Sequence, residues 1–136
     1  MRPFHLAFPV DNLDKTREFY TTILECKEGR SSDSWIDFDL YGHQVVAHLV
    51  DELGTVQTNP VDGDNVPASH FGVILETNDW NELAKRLTES GIKFIIEPHI
   101  RFKGEPGEQA TMFFLDPCGN ALEFKSFSRD DMIFAK

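Results

Sequence analysis

The chain has 136 residues, with 23 acidic against 13 basic side chains and a net charge of −10. That length suits one domain with a real hydrophobic core, and the acidity disfavours nucleic-acid backbones and anionic membrane surfaces as partners. No apolar run has the length of a membrane-spanning helix and no leader pattern is recognised, so cytoplasmic residence is expected. The two cysteines, Cys26 and Cys118, fit no metal or redox spacing and are expected to be free thiols.

Phe4–Val10 alternates as a strand, with Phe4, Leu6 and Phe8 on one face and His5 and Ala7 on the other. Asp11 is placed to cap a helix whose buried stripe is Leu13, Tyr20, Ile23 and Leu24. A short strand is expected around residues 26–30. Trp35–Leu40 alternates cleanly, Tyr41-Gly42 marks a turn, and Gln44–Val50 returns as the hairpin partner. Residues 51–68 are polar, carry two Gly and two Pro, and read as a linker or a flap over a site.

The order then repeats. Ser69–Leu75, Ser-His-Phe-Gly-Val-Ile-Leu, is a second short apolar run with a histidine near its start, which makes His70 the equivalent of His5. Asp79 and Glu82 suggest a capping box opening a helix with Trp80, Leu83, Ala84 and Leu87 inward, stopped by Gly91. A strand over 92–97, a loop over 101–109 and a hairpin of 110–115 with 121–127 follow. The expected fold class is α+β: two tandem βαβββ modules, 3–50 and 69–127, in one domain with a linker at 51–68 and a tail at 128–136. They form a curved, mostly antiparallel sheet around a metal-binding cavity.

His5, His70 and Glu123 share strand faces with the small residues Ala7, Gly72 and Ala121, which suggests a cavity. The opposite faces (Phe4, Leu6, Phe8, Phe71, Val73, Leu75, Leu122, Phe124) are the candidate core. A lone carboxylate on a cavity face is costly to bury. Two imidazoles and a carboxylate around a divalent cation resolve that cost and leave positions open for substrate, water or oxygen. Taken singly, each histidine is more readily an ordinary hydrogen-bonded residue; matched positions in two repeats favour a shared site. Arg101, Lys103 and Gln109 lie in or beside a Gly/Pro loop, which either holds an anionic substrate or is simply solvated.

The two-module plan, His5, His70, and the run Phe114-Leu115-Asp116-Pro117-Cys118-Gly119-Asn120-Ala121-Leu122-Glu123-Phe124 resemble the vicinal oxygen chelate superfamily. That superfamily includes glyoxalase I, type I extradiol dioxygenases and bleomycin-resistance proteins. Stretches 35–49 and 100–124 look more narrowly like bacterial proteins named extradiol-type dioxygenases by similarity. The resemblance implies His5, His70 and Glu123 as metal ligands, a homodimer, and a small catechol-like substrate with adjacent oxygens. It implies a divalent ion, Fe(II) first, with Mn(II), Zn(II) or Ni(II) as alternatives. His48 falls near the fourth ligand of glyoxalase I and is open as ligand, as catalytic acid–base group or as surface residue. Phe113 stands where extradiol dioxygenases commonly carry a tyrosine, and lines the implied substrate pocket with Arg101 and Gln109. The leading expectation is a metal-dependent dioxygenase. The alternatives are a glyoxalase-like lyase or isomerase, and a metal-free small-molecule binding protein.

Overall fold

The computed structural model describes all 136 residues. Two compact units account for them: Met1–Val56 with the loop Asp116–Asn120, and Gln57–Leu115 with Ala121–Lys136. The first carries β1 (His5–Val10), α1 (Leu13–Glu18), β2 (Lys27–Ser31), β3 (Trp35–Leu40) and β4 (His43–Leu49). The second carries β5 (Thr58–Val61), β6 (Asp64–Pro67), β7 (Ile74–Leu75), α2 (Thr77–Glu89), β8 (Phe94–Arg101), β9 (Gln109–Leu115) and β10 (Ala121–Ser126). The sheet orders are β1-β4-β3-β2 and β7-β10-β9-β8. Each sheet therefore repeats the other: first and last strands pair in parallel, and the remaining pairs are antiparallel. The α+β class and the two βαβββ modules are as the sequence predicts.

In the first unit the registers His5↔Gln44, Ala7↔Val46 and Pro9↔His48 place these residues on one face, with Asp39, Asp37 and Trp35 beside them on β3. The other face is the core, where Phe8, Val10, Ile36, Phe38, Leu40, Val45 and Ala47 are buried. α1 opens at Asn12, whose side-chain oxygen accepts from the Lys15 amide at 2.9 Å; the expected Asp11 cap is not used. Its continuation widens into a π turn over Phe19–Ile23. That turn sets Tyr20 in the core, 5.0 Å from the ring of Phe38 and stacked on it.

The loop Asp116–Asn120 closes this unit. The Tyr20 hydroxyl donates to Asp116 Oδ2 at 2.9 Å, and Asn120 Nδ2 donates to the same oxygen at 3.0 Å. Asp116 Oδ1 accepts from the amides of Cys118 and Asn120, each at 2.9 Å. Asn120 also donates to the Pro9 carbonyl at 2.9 Å, tying the loop to β1. Burial pushes the Asp116 carboxyl upward, and its bonds to Asn120, Tyr20 and Cys118 pull it part of the way back. Cys26 and Cys118 are both buried and unbridged.

In the second unit α2 begins at Thr77, two residues before the expected cap, and buries Trp80, Leu83 and Leu87. Asp79 sits in its first turn, where a negative charge favours the helix dipole. Gly91 adopts a φ of +75° at its end, which suits glycine. Residues 51–68 differ from an unstructured linker, because β5 and β6 form a hairpin around Asp62-Gly63. Val66 of that hairpin packs with Ile96, Phe113 and Ala121, and Val61 rests against the cluster. Phe4 departs from the expected core: it is 64% exposed, while Phe71 and Val73 are half-buried. No helix is long and apolar enough to cross a membrane.

The Tyr20–Asp116 bond has a pH signature. Burial, chiefly, raises the Tyr20 hydroxyl well above its ordinary value of 10.0. A raised folded-state value means the native state keeps a proton that the unfolded chain loses. The contribution is therefore complete below about pH 10 and is lost as pH rises beyond it. Tyr20→Phe is expected to cost about 1–3 kcal/mol at pH 7 and to flatten the alkaline fall in stability. Urea unfolding of both proteins from pH 7 to 11 measures this; parallel curves would exclude the linkage.

Candidate functional site

Glu123 sits on β10 facing Phe113 of β9, so its side chain shares a face with Thr111, Phe113 and Gln109. Segment 70–73 runs beside β10, making one parallel bridge, Phe71↔Leu122. The Phe71 amide donates to the Ala121 carbonyl at 3.2 Å, and the Glu123 amide donates to the Phe71 carbonyl at 2.9 Å. Gly72 makes the approach possible. A Cβ there would lie 1.7 Å from the Glu123 carbonyl oxygen. The bare backbone lets His70 swing over the same face as Glu123, and His70 Nε2 ends 3.1 Å from Glu123 Oε2.

Both side chains are held from behind. Thr111 Oγ1 donates to Glu123 Oε1 at 2.7 Å, and Lys125 Nζ lies 3.9 Å from Oε2. His70 Nδ1 is 2.8 Å from the Pro67 carbonyl, which can only accept, so Nδ1 carries the proton. Nε2, the nitrogen facing the carboxylate, then needs either a second proton or a cation. Phe113 closes one side of the ring, edge-on, with centroids 5.0 Å apart.

His5 lies in the other unit and repeats this arrangement. Its Nδ1 is 2.8 Å from Gln44 Oε1; with the amide in that orientation Nδ1 donates and Nε2 is the free lone pair. A donating N–H behind a free ring nitrogen is how metal-binding histidines are held. Imidazole and carboxylate are ligand types that suit a divalent cation. Of the three residues, His70 and Glu123 are brought together in the second unit; no group of three His, Cys, Asp or Glu side chains that could hold a metal ion is gathered in the structure.

The remaining candidates are placed as follows. In the second sheet the carboxylate lies two residues beyond Ala121, the residue alongside His70. In the first, His5 faces Gln44, so the same step along β4 reaches Val46, which is buried. His48 lies on the His5 face but four residues beyond Gln44, roughly 13 Å along the strand. Arg101 ends β8 directly opposite Gln109, the first residue of β9, and both are buried. Arg101 Nη2 reaches Asp64 Oδ2 at 3.3 Å, and Gln109 Nε2 donates to the Gly107 carbonyl at 3.0 Å. Arg101 Nε and Gln109 Oε1 have no hydrogen-bond partner in the protein. Lys103 is exposed in the turn between the strands.

Thr111, Lys125, Gln44 and Pro67 were not apparent as site residues. Lys125 and Thr111 had a signal in parity, since each is two residues from Glu123 or Phe113 on a strand of period two. Gln44 needs the register, and Pro67 needs the hairpin.

Two β-sheets of identical strand order, each opened by a histidine-bearing segment, define a protein of paired βαβββ modules with a candidate metal face. The chain belongs to the Glyoxalase/Bleomycin resistance protein/Dioxygenase superfamily, which matches over residues 2–124. Many members of that superfamily are enzymes, and they typically bind a divalent metal. A glyoxalase/bleomycin resistance protein/dioxygenase from Alicyclobacillus acidocaldarius is 35% identical, with 97% of this chain and 96% of that one covered and a TM-score of 0.83. An integron cassette protein from the mobile metagenome of the Halifax Harbour sewage outfall is 27% identical, covering 92% and 97%, with a TM-score of 0.69. The fosfomycin resistance protein FosX from Listeria monocytogenes shares the fold at 16% identity, covering 94% of each chain, with a TM-score of 0.68.

Gly72 offers a direct test of how the pair is built. Gly72→Ala is expected to force segment 70–73 off β10 and cost 3 kcal/mol or more, beyond the usual overpacking of about 1–3. Gly54→Ala, whose new Cβ meets nothing within 4 Å, is the neutral control. Thermal midpoints within a degree of each other would contradict the close approach.

Proposed function

We propose that the protein is a metal-dependent enzyme of the extradiol dioxygenase type, acting on a small molecule with two adjacent oxygens. His5, His70 and Glu123 are its metal ligands. One observation carries this: both histidines are held by Nδ1–H, and His70 turns the freed Nε2 onto a carboxylate. The bound ion, Fe(II) in the favoured case and Mn(II), Zn(II) or Ni(II) otherwise, supplies Lewis acidity toward the paired oxygens and, as iron, redox chemistry with O2.

The protein's own groups do the rest. Pro67 and Thr111 keep His70 and Glu123 oriented. Phe113, buried with Val66, Ile96 and Ala121, backs the His70 ring from its apolar side. Arg101 and Gln109 offer a buried donor and acceptor on the same face. His48, exposed and on the His5 face, is the group available to move a proton. A glyoxalase-like lyase or isomerase, the second reading, calls on His48 as a fourth ligand or as a base; Val46, at the step along β4 that Glu123 takes along β10, weighs against the ligand role alone. A homodimer is part of the proposal, because each four-stranded sheet ends in edge strands, β1 and β2 in one and β7 and β8 in the other, and small modules must cover such edges. The ligands then come together within one chain or across two.

The test is anaerobic purification with elemental analysis, sedimentation velocity, and O2 uptake on a panel of catechols. Expected are one ion per chain, a dimer, and uptake with the iron form. Single Ala replacements of His5, His70 and Glu123 are expected to abolish tight binding without altering the circular dichroism. His48→Ala is expected to keep the metal and lose turnover. Protons compete with the ion for imidazole, so occupancy should fall as pH falls. Full occupancy in all three ligand variants would sink the proposal. A wild type that takes up no metal would favour the binding-protein alternative.

A further inference from the structure

We infer that Gln44 and Asp37 are positioning residues for His5: together they hold its proton on Nδ1 and keep Nε2 free for a cation. The inference rests on the proposed ligand role of His5 and adds to it the device that sets the ring's tautomer.

Gln44 stands directly across from His5 in the parallel β1–β4 register, and its Oε1 is 2.8 Å from Nδ1. Taken alone, that contact is ambiguous. An amide can turn over, exchanging its acceptor for a donor, and its orientation follows from its other partners. Here the other partner is Asp37. Gln44 Nε2 lies 3.4 Å from Asp37 Oδ2, and an ionised carboxylate only accepts. Turning the amide over would set two oxygens against each other at Asp37. It would also aim an N–H at His5 Nδ1, which would then have to accept and leave its proton on Nε2. That tautomer has no lone pair where the cation needs one.

Burial does not impose this orientation. Gln44 is exposed, and with Asp37 it lines an open groove of about 450 Å³. Asp37 is the more constrained member. A Cβ built on Gly29 of β2 would stand 3.2 Å from the Asp37 Cβ, so β2 backs the residue closely. The contact runs diagonally across β3 and β4, since Asp37 faces Val46 and Gln44 faces Asp39.

The comparison with His70 explains why a second residue is needed. His70 donates to the Pro67 backbone carbonyl, which has no alternative state. His5 donates to a side-chain amide, which has two. The first module therefore needs a carboxylate behind the amide, and the second does not.

The test uses the full chain, 15N-labelled and metal-free, with long-range proton–nitrogen correlations of the histidine rings. Zn(II) affinity is measured alongside by competition with a chromophoric chelator. His5 is expected as the Nδ1–H tautomer in the wild type. Gln44→Met should shift it toward Nε2–H and weaken zinc about 10–100-fold, the usual effect of removing an outer hydrogen bond. Gln44→Glu keeps an acceptor and should restore both. Asp37→Asn, which frees the amide to turn, should fall between. An Nε2–H tautomer in the wild type would overturn the inference, as would wild-type zinc affinity in Gln44→Met. His5→Ala separates the two claims. If it binds zinc as the wild type does, the ligand role fails; if it is weakened while Gln44→Met is not, only the positioning role fails.

Discussion

The second module depends on two backbones passing closer than side chains allow. At Gly72 the segment carrying His70 lies so near β10 that a single added carbon would sit 1.7 Å from the Glu123 carbonyl oxygen. Everything useful about the His70–Glu123 pair follows from that approach. The parallel bridge at Phe71 fixes which residue of one segment faces which of the other. With the register set, parity puts histidine, glutamate, Thr111 and Phe113 on one face. The hairpin β5–β6 then supplies the Pro67 carbonyl that chooses the histidine's tautomer.

A second constraint governs the first unit. Asp116 is a buried carboxylate with four accepted hydrogen bonds, two from backbone amides and two from side chains. An unsatisfied carboxylate in that place would be strongly unfavourable. Because its partners include Tyr20 of the helical segment, and Asn120 reaches Pro9 of β1, the loop organises the core around it. The Asp-Pro-x-Gly-Asn run is thus a structural clasp. It lies just ahead of Glu123 in the chain.

Much of this was legible in the sequence, and what was not has physical reasons. Trp35–Leu40 is a strand because alternation with one face buried leaves no other choice. The repeat is visible because a histidine stands two residues before a small residue at the opening of each module, His5 with Ala7 and His70 with Gly72. The hairpin at 58–67 was missed, although Asp62-Gly63 is a turn signal, because its strands are short, contain proline and lack alternation. Phe4 was assigned to the core by parity, but it precedes β1 and is left exposed. Asp11 and Asn12 are comparable capping residues, so composition does not choose between them; Asn12 is the one that accepts from the Lys15 amide. Register was the real gap. Only the pairing shows that Val46, and not His48, stands at the step along β4 that Glu123 occupies along β10.

The proposed binding of one ion by His5, His70 and Glu123 together is open to direct measurement. X-ray absorption of the zinc-loaded protein tests it most directly, because it counts imidazoles at the metal. The wild type is predicted to show two, with nitrogen and oxygen ligands at about 2.0–2.2 Å, and His5→Ala to show one. An imidazole count that is the same in both proteins would contradict the claim.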